Sequence, residues 1–267
     1  EKKGVVRETG TVSELTIENL STEEVFVQAG EIVKGGRQDR VLGTDMVLPP
    51  KAGKGPGASH CVEQGRWQKR GEEAADHFAS SQSIAATKDI KIANYRGNQS
   101  EVWANVAKVQ QKLNAKVGAD VRSNQSASSL QLSLEHDRVR LSVEAYVKAL
   151  SDVVKSSPDS VGYAFAINGE INSAEVYASP DLFLAEWPKL LRASAAEAVS
   201  EREAGVGHTP PTLDQVKSFL AAADAGAATQ KTAGPAARVV SRETASRLVV
   251  ETQAAGGGWL HRSYLRK

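Results

Sequence analysis

The chain contains a single cysteine, Cys61. One cysteine excludes an intramolecular disulfide and every zinc or iron–sulfur site built from several thiolates. There is also one methionine, Met46, and the chain opens Glu1-Lys2-Lys3-Gly4. That opening favours a chain whose leader has been removed, with an exported or periplasmic location expected over a cytoplasmic one. Aromatic residues make up only 5%, so the core must lean on Val, Leu, Ile and Ala. Neither sign of charge dominates: 33 Lys and Arg against 32 Asp and Glu leave +1. With no clustered basic stripe either, nucleic acid is excluded as a general partner. No apolar run approaches the roughly 20 residues that cross a bilayer, so no transmembrane segment is expected.

At 267 residues, 40% of them hydrophobic, the chain can bury a core without metal or disulfide staples. Its first 67 residues read as strands. Thr11 to Leu20 alternates around Val12, Leu15 and Ile17. Val25 to Ala29 and Glu31 to Lys34 are β-prone, and Gly35-Gly36 suits a tight turn. Val41-Leu42 and Met46 to Leu48 continue the pattern until Pro49-Pro50 stops it. Lys51 to Ser59 reads as a loop and Ser59 to Val62 as a strand. From Gln68 to Asn98 the chain is polar and poorly periodic, which predicts a long surface excursion.

Helical spacing follows. Val102, Trp103, Val106, Val109 and Leu113 form one stripe, with Ser100 as the expected N-cap. Gly118 to Leu134 reads as a mobile loop. Val143, Tyr146, Val147, Leu150, Val153 and Val154 form a second stripe, ended by Ser156-Ser157-Pro158. Val161 to Ala178 alternates around Asn168-Gly169, which predicts a two-residue hairpin with Tyr163 opposite Ala174 and Val161 opposite Val176. Ser179-Pro180 begins a helix that Pro188 restarts or kinks and that fades near Ser200. Thr212 to Gln215 fits a capping box. Ala222 to Pro235 is expected to be poorly ordered, and strand-like runs close the chain. The fold class is α+β: an antiparallel, β-rich N-terminal part, then helices and hairpins in the C-terminal two thirds. One domain over 1–267 is favoured, with possible lobes at 1–67 and 99–267.

Three polar clusters stand at strand ends: Glu31 with Gly35 to Arg40, Cys61 to Trp67, and His261-Arg262-Ser263. A Gly-Gly turn can offer backbone N–H groups to an anion, with Arg40 adding charge, or it can be a plain hairpin turn. Cys61 is a poor nucleophile by geometry, because His60 points to the opposite face of the strand. A carboxylate at Glu63 would also raise its thiol pKa. Glu63 and Arg66 can orient a polar ligand or form a buried ion pair. Trp67 can stack on a base or sugar, or pack in the core. The histidines at 60, 77, 136, 208 and 261 lack metal-binding spacing, so no metal site is expected.

These runs, together with Ala29-Gly30-Glu31, Val102-Trp103, the Asn168-Gly169 hairpin and His261-Arg262-Ser263-Tyr264, resemble a bacterial family of unknown function. It is the family associated with ADP-ribosylglycohydrolases and rhodanese-phosphatases. Cys61 to Trp67 is the specific part of the likeness, which spans nearly the whole chain. The resemblance implies a role near ADP-ribose and NAD metabolism, and it brings no established catalytic residues or cofactor.

Two readings follow. In the first, the chain binds or processes an ADP-ribose-like or other phosphorylated nucleotide. Glu63 or Asp39 would then be the general base, and Glu31, Gln38, Arg40, Gln64, Arg66, Trp67, His261 and Arg262 would hold the ligand. In the second, it is a non-catalytic exported domain that binds a protein or envelope component, with the same residues tying strand ends together. An open pocket lined by these side chains favours the first reading. Burial with mutual salt bridges favours the second.

Overall fold

The structure, a computed structural model, describes residues 4–203, 205–232 and 237–267. Eight strands come first: β1 (Gly4–Glu8), β2 (Glu14–Asn19), β3 (Val25–Val27), β4 (Glu31–Gly35), β5 (Arg40–Leu42), β6 (Met46–Leu48), β7 (Gly55–Cys61) and β8 (His77–Ile84). Six of them close an antiparallel barrel in the order β1-β2-β7-β5-β4-β8, while β3 and β6 pair separately. Closure removes free sheet edges. Leu15, Ile17, Val33, Leu42, Met46 and Phe78 fill the inside. Gly35 and Gly36, at φ 117° and 54°, reverse the chain after β4. A Cβ on Gly36 would run into the ring of Phe78, so this turn has room for glycine alone.

Helices α1 (Lys88–Arg96), α2 (Gln99–Val117), α3 (Leu130–Glu135) and α4 (Asp137–Leu150) follow, the last continuing as a 3-10 turn over Ser151–Ser156. Then come β9 (Gly162–Ile167), β10 (Glu170–Tyr177), α5 (Pro180–Glu201), α6 (Leu213–Asp224), β11 (Ala227–Thr232), β12 (Ala237–Glu243), β13 (Arg247–Ala254) and β14 (Trp259–Arg266). The last six strands form an antiparallel sheet ordered β11-β12-β13-β14-β10-β9. The main apolar cluster joins Ile32, Val41 and Val62 of the barrel region to Ile90, Val102, Val106, Leu113, Val139 and Val199 of the helices. The α+β class is therefore correct.

Several local expectations need correction. The stretch Gln68 to Asn98 is no surface excursion, because it carries β8 and α1. Strand β8 buries Phe78, Ser81 and Ile84, a spacing of three. A register shift against β4 breaks the period-two signal that marks a strand. The loop Lys51 to Ser59 becomes strand from Gly55, and α3 lies within the segment read as a loop after Gly118. Helix α2 is capped by Asn98, whose side chain accepts from the Glu101 amide, and not by Ser100. Helix α4 ends at Leu150, and Val153 is exposed beyond it.

The hairpin register is also shifted. Tyr163 faces Glu175 and Gly162 faces Val176, because Asn172 is an extra residue bulged out of β10. Pro188 does not interrupt α5, which runs unbroken from Pro180 to Glu201. The Ser179 N-cap and the Thr212–Gln215 capping box form as expected. Of the segment Ala222 to Pro235, α6 and β11 account for most, and residues 233–236 lie outside the described residues. Glu1 to Lys3 also lie outside them.

Candidate functional site

The turn after β4 and the loop after β7 meet at one end of the barrel, where their charged residues form a closed network. Asp39 Oδ1 accepts from the Gly35 amide at 3.1 Å and from Arg70 Nη2 at 3.1 Å. Its Oδ2 accepts from Arg70 Nη1 at 2.8 Å and from Ser129 Oγ at 2.9 Å. Glu63 Oε1 accepts from Arg66 Nε at 2.6 Å, and its Oε2 accepts the Asp39 amide at 2.9 Å. Arg66 also donates to the carbonyls of Gly35, Gly36 and Gln68. Asp39 and Glu63 are both fully buried. Ser129 is the N-cap of α3, so the same carboxylate that fixes the turn also fixes where that helix starts.

The two carboxyls respond differently to this setting. Burial raises the Asp39 pKa, and the neighbouring Glu63 charge adds to that rise while Arg70 opposes it. Burial also pushes Glu63 upward, but hydrogen bonds from Arg66, Ser126 and the Asp39 amide outweigh it and leave the pKa below its usual value.

Beside them, Arg40 is completely buried. It donates to Cys61 Sγ and to the Val12 carbonyl, and it faces Glu8 at 3.4 Å. Cys61 Sγ donates to Gln38 Oε1 at 2.8 Å. His60 turns the other way, to Asn94 Oδ1 of α1. Burial raises the thiol pKa to about 11, with Arg40 opposing the rise. A thiol reagent at pH 8 is expected to label Cys61 at least ~100-fold more slowly in the folded protein than in urea. Rapid labelling of the folded chain would contradict this burial.

Trp67 is 45% exposed. It lies outside the core, with the guanidinium of Arg37 5.5 Å and that of Arg40 5.8 Å from its ring centroid. Gln64 is exposed, and its carbonyl accepts from Ser128. Glu31 stands apart, paired with Lys189 at 2.6 Å. It lies on the wall of a mainly apolar cavity of about 540 Å³ beside Val6, Phe26 and Phe78.

His261 and Arg262 belong to other arrangements. Arg262 pairs with Glu251 at 2.6 Å and covers the Trp259 ring. His261 bridges two buried carboxylates, with Nδ1 2.7 Å from Asp45 Oδ2 and Nε2 2.9 Å from Glu175 Oε2. Glu175 in turn holds Lys91 at 2.6 Å, and Thr252 donates to Asp45. Tyr177 stacks on the imidazole at 4.6 Å. Burial alone would lower the His261 pKa, but Asp45 and Glu175 raise it to about 10. This second network ties the barrel loop before β6 to strands β10, β13 and β14.

Sequence reasoning missed Arg70, Ser129, Asp45, Glu175 and Lys91. Only Arg70, three residues before Glu73 in a charged run, had a local signal. Among the described residues no group of three or more His, Cys, Asp and Glu is placed to hold a metal ion. No described helix is long and apolar enough to cross a membrane.

A closed barrel joined to a helical layer and a second antiparallel sheet, with its sequence motifs folded into a buried ionic network, defines an α+β protein with an internally braced barrel. The chain belongs to the ARPP-1 family, the ARG and Rhodanese-Phosphatase-superfamily-associated Protein domain, whose model matches residues 1–265. Neither a curated protein nor a solved structure matches it. Family membership associates the chain with ARG and rhodanese-phosphatase systems.

Proposed function

We propose that the chain is a non-catalytic binding domain, one α+β unit over 1–267, in which the polar motifs are structural. The observation behind this reading is the closure of Asp39 and Glu63. Both are fully buried and both oxygens of each accept hydrogen bonds. A general base must reach the proton it removes, and neither carboxylate could do so without breaking its own ion pairs. The partner under this reading is a protein or a cell-envelope component.

The nucleotide reading has one observation in its favour, the exposed indole of Trp67 beside Arg37. An aromatic base could stack there while the guanidinium meets a phosphate.

Thermal-shift titration with ADP-ribose, NAD and divalent metals separates the two, using the wild type and Trp67→Ala. The binding-domain reading expects no shift and no turnover of ADP-ribose. A shift with ADP-ribose or NAD that disappears in Trp67→Ala would overturn it in favour of the nucleotide reading. A shift that survives the substitution would overturn both assignments of the site.

A further inference from the structure

The geometry points to a second ligand site, a cavity of about 470 Å³ where the first turns of α6 meet the end of the second sheet, which would take a monocarboxylate bearing an apolar body. It does not depend on the reading above, since it shares no residue with the network around Asp39 and Glu63.

The site begins with two like charges set against each other. Arg247 opens β13 and Arg266 closes β14, and the register places them directly opposite one another. Both lie on the sheet face that α6 covers, since Val249 and Tyr264, two residues further along each strand, pack with Phe219 and Ala223. Side chains paired in this way stand about 5 Å apart at Cβ, and like charges there destabilise a sheet. Both arginines line the cavity. A pair that repels within the sheet is relieved by a negative charge held between its two guanidinium groups.

The protein supplies only part of that charge. Arg266 pairs with Glu170 at 2.6 Å, but both side chains are well exposed, so water screens the bond. Arg247 has no ion-pair partner among the described residues. Its Nη1 donates to Ser246 Oγ at 3.0 Å, and its guanidinium carbon lies 5.3 Å from the centroid of the Phe219 ring. Its Nε is buried and makes no hydrogen bond. Buried N–H groups without partners are uncommon in native folds. Asp214 is the one acid of the lining, and it sits in the first turn of α6, where the helix dipole already favours its charge. The charge left uncompensated at the cavity wall is therefore the guanidinium of Arg247.

The rest of the lining fixes the class of anion. A guanidinium offers a planar fork that matches a carboxylate through two hydrogen bonds. Exposed Ser218 and Ser246 add hydroxyls, while half-buried Ile171 and buried Phe219 supply apolar surface. One uncompensated positive charge beside apolar side chains suits a monoanion with a hydrophobic body better than a doubly charged phosphate, which Asp214 would also repel. The volume lies within the usual range of small-molecule pockets.

Isothermal titration of the full chain with phenylacetate and hexanoate tests this, with acetate, phenethyl alcohol, phenyl phosphate and inorganic phosphate as separate probes. At least one of the two acids should bind, and at least about tenfold more tightly than acetate, which lacks the body, or phenethyl alcohol, which lacks the charge. Arg247→Gln should weaken that binding about tenfold or more. Asp214→Asn should leave it at least as tight, because it removes the one negative charge of the lining. Trp67→Ala should leave it unchanged, which keeps this result apart from the test of the nucleotide reading. Melting curves establish that each variant is folded, and Arg266→Gln replaces Arg247→Gln if that one is not. The proposal is overturned if neither acid binds, if binding survives the loss of the arginine, if Asp214→Asn weakens it, or if any other probe binds as tightly as the acids.

Discussion

Replacing Arg70 by alanine is expected to destabilise the fold by about 3–5 kcal/mol, the usual consequence of leaving buried charge without its partner. Arg70 donates to Asp39 through both terminal nitrogens, and it also reaches Glu63 and Glu73. Removing it takes the main counterion from Asp39 in a place water cannot reach, while Glu63 keeps Arg66. Urea denaturation should show a lower midpoint at an unchanged slope. Arg140→Ala provides the contrast. Its partner Asp137 is highly exposed and the Arg140 side chain is half-exposed, so the change should stay within about 0.5 kcal/mol. Equal effects from the two substitutions would remove the brace from the account. A variant replacing Asp39, Glu63, Arg66 and Arg70 together by apolar residues should recover part of the loss, because no charge is then left buried alone.

Stability should peak on the acid side of neutrality and fall steadily as the solution is made alkaline. His261 has a folded pKa of about 10 against an ordinary 6.5. Its contribution is fully present below pH 6.5 and is lost as pH rises through 10, an effect on the order of 5 kcal/mol. Glu186 and Glu197, both raised to about 7 from 4.5, act in the same sense between those two values. Glu175, lowered to about 2 from 4.5, acts oppositely and is lost as pH falls through that range. Melting temperatures between pH 5 and pH 9 give the measurement. His261→Gln should be less stable at every pH and should flatten the alkaline limb above pH 6.5. A wild-type melting temperature that rises between pH 6.5 and pH 9 would refute the charged imidazole.

Half of the first network could be read from the amino-acid order. Asp39, Glu63 and Arg66 sit beside strand ends with turn glycines, and that local chemistry marks a polar junction. Arg70 left only its i,i+3 spacing to Glu73, in a run with no periodicity to set it apart. Ser129 could not be read, since it meets Asp39 from 90 residues away and sequence spacing carries no signal for such a contact. His261 was visible as a polar residue in a strand, but its partners Asp45 and Glu175 were not, so it was assigned to the wrong neighbours. Strand β8 and the hairpin register were missed for one reason. Each contains an irregularity, one extra residue in β10 and two in β8, and such insertions interrupt the alternation on which strand reading depends. Caps survived better, because a cap is written within four consecutive residues.

The bond between Asp45 and His261 spans 216 residues of chain, and this gives the molecule a timetable. Ribosomes add about 5–20 residues per second, so roughly 10–40 s separate the emergence of the carboxylate from that of the imidazole that neutralises it. Once Ile84 has emerged the barrel strands are complete, but for the rest of that interval the loop before β6 has no counterion and must stay hydrated. The barrel can pair early, whereas its attachment to the second sheet waits for strand β14. A nascent chain of this protein therefore passes through a long half-closed state that ends only once β14 has emerged.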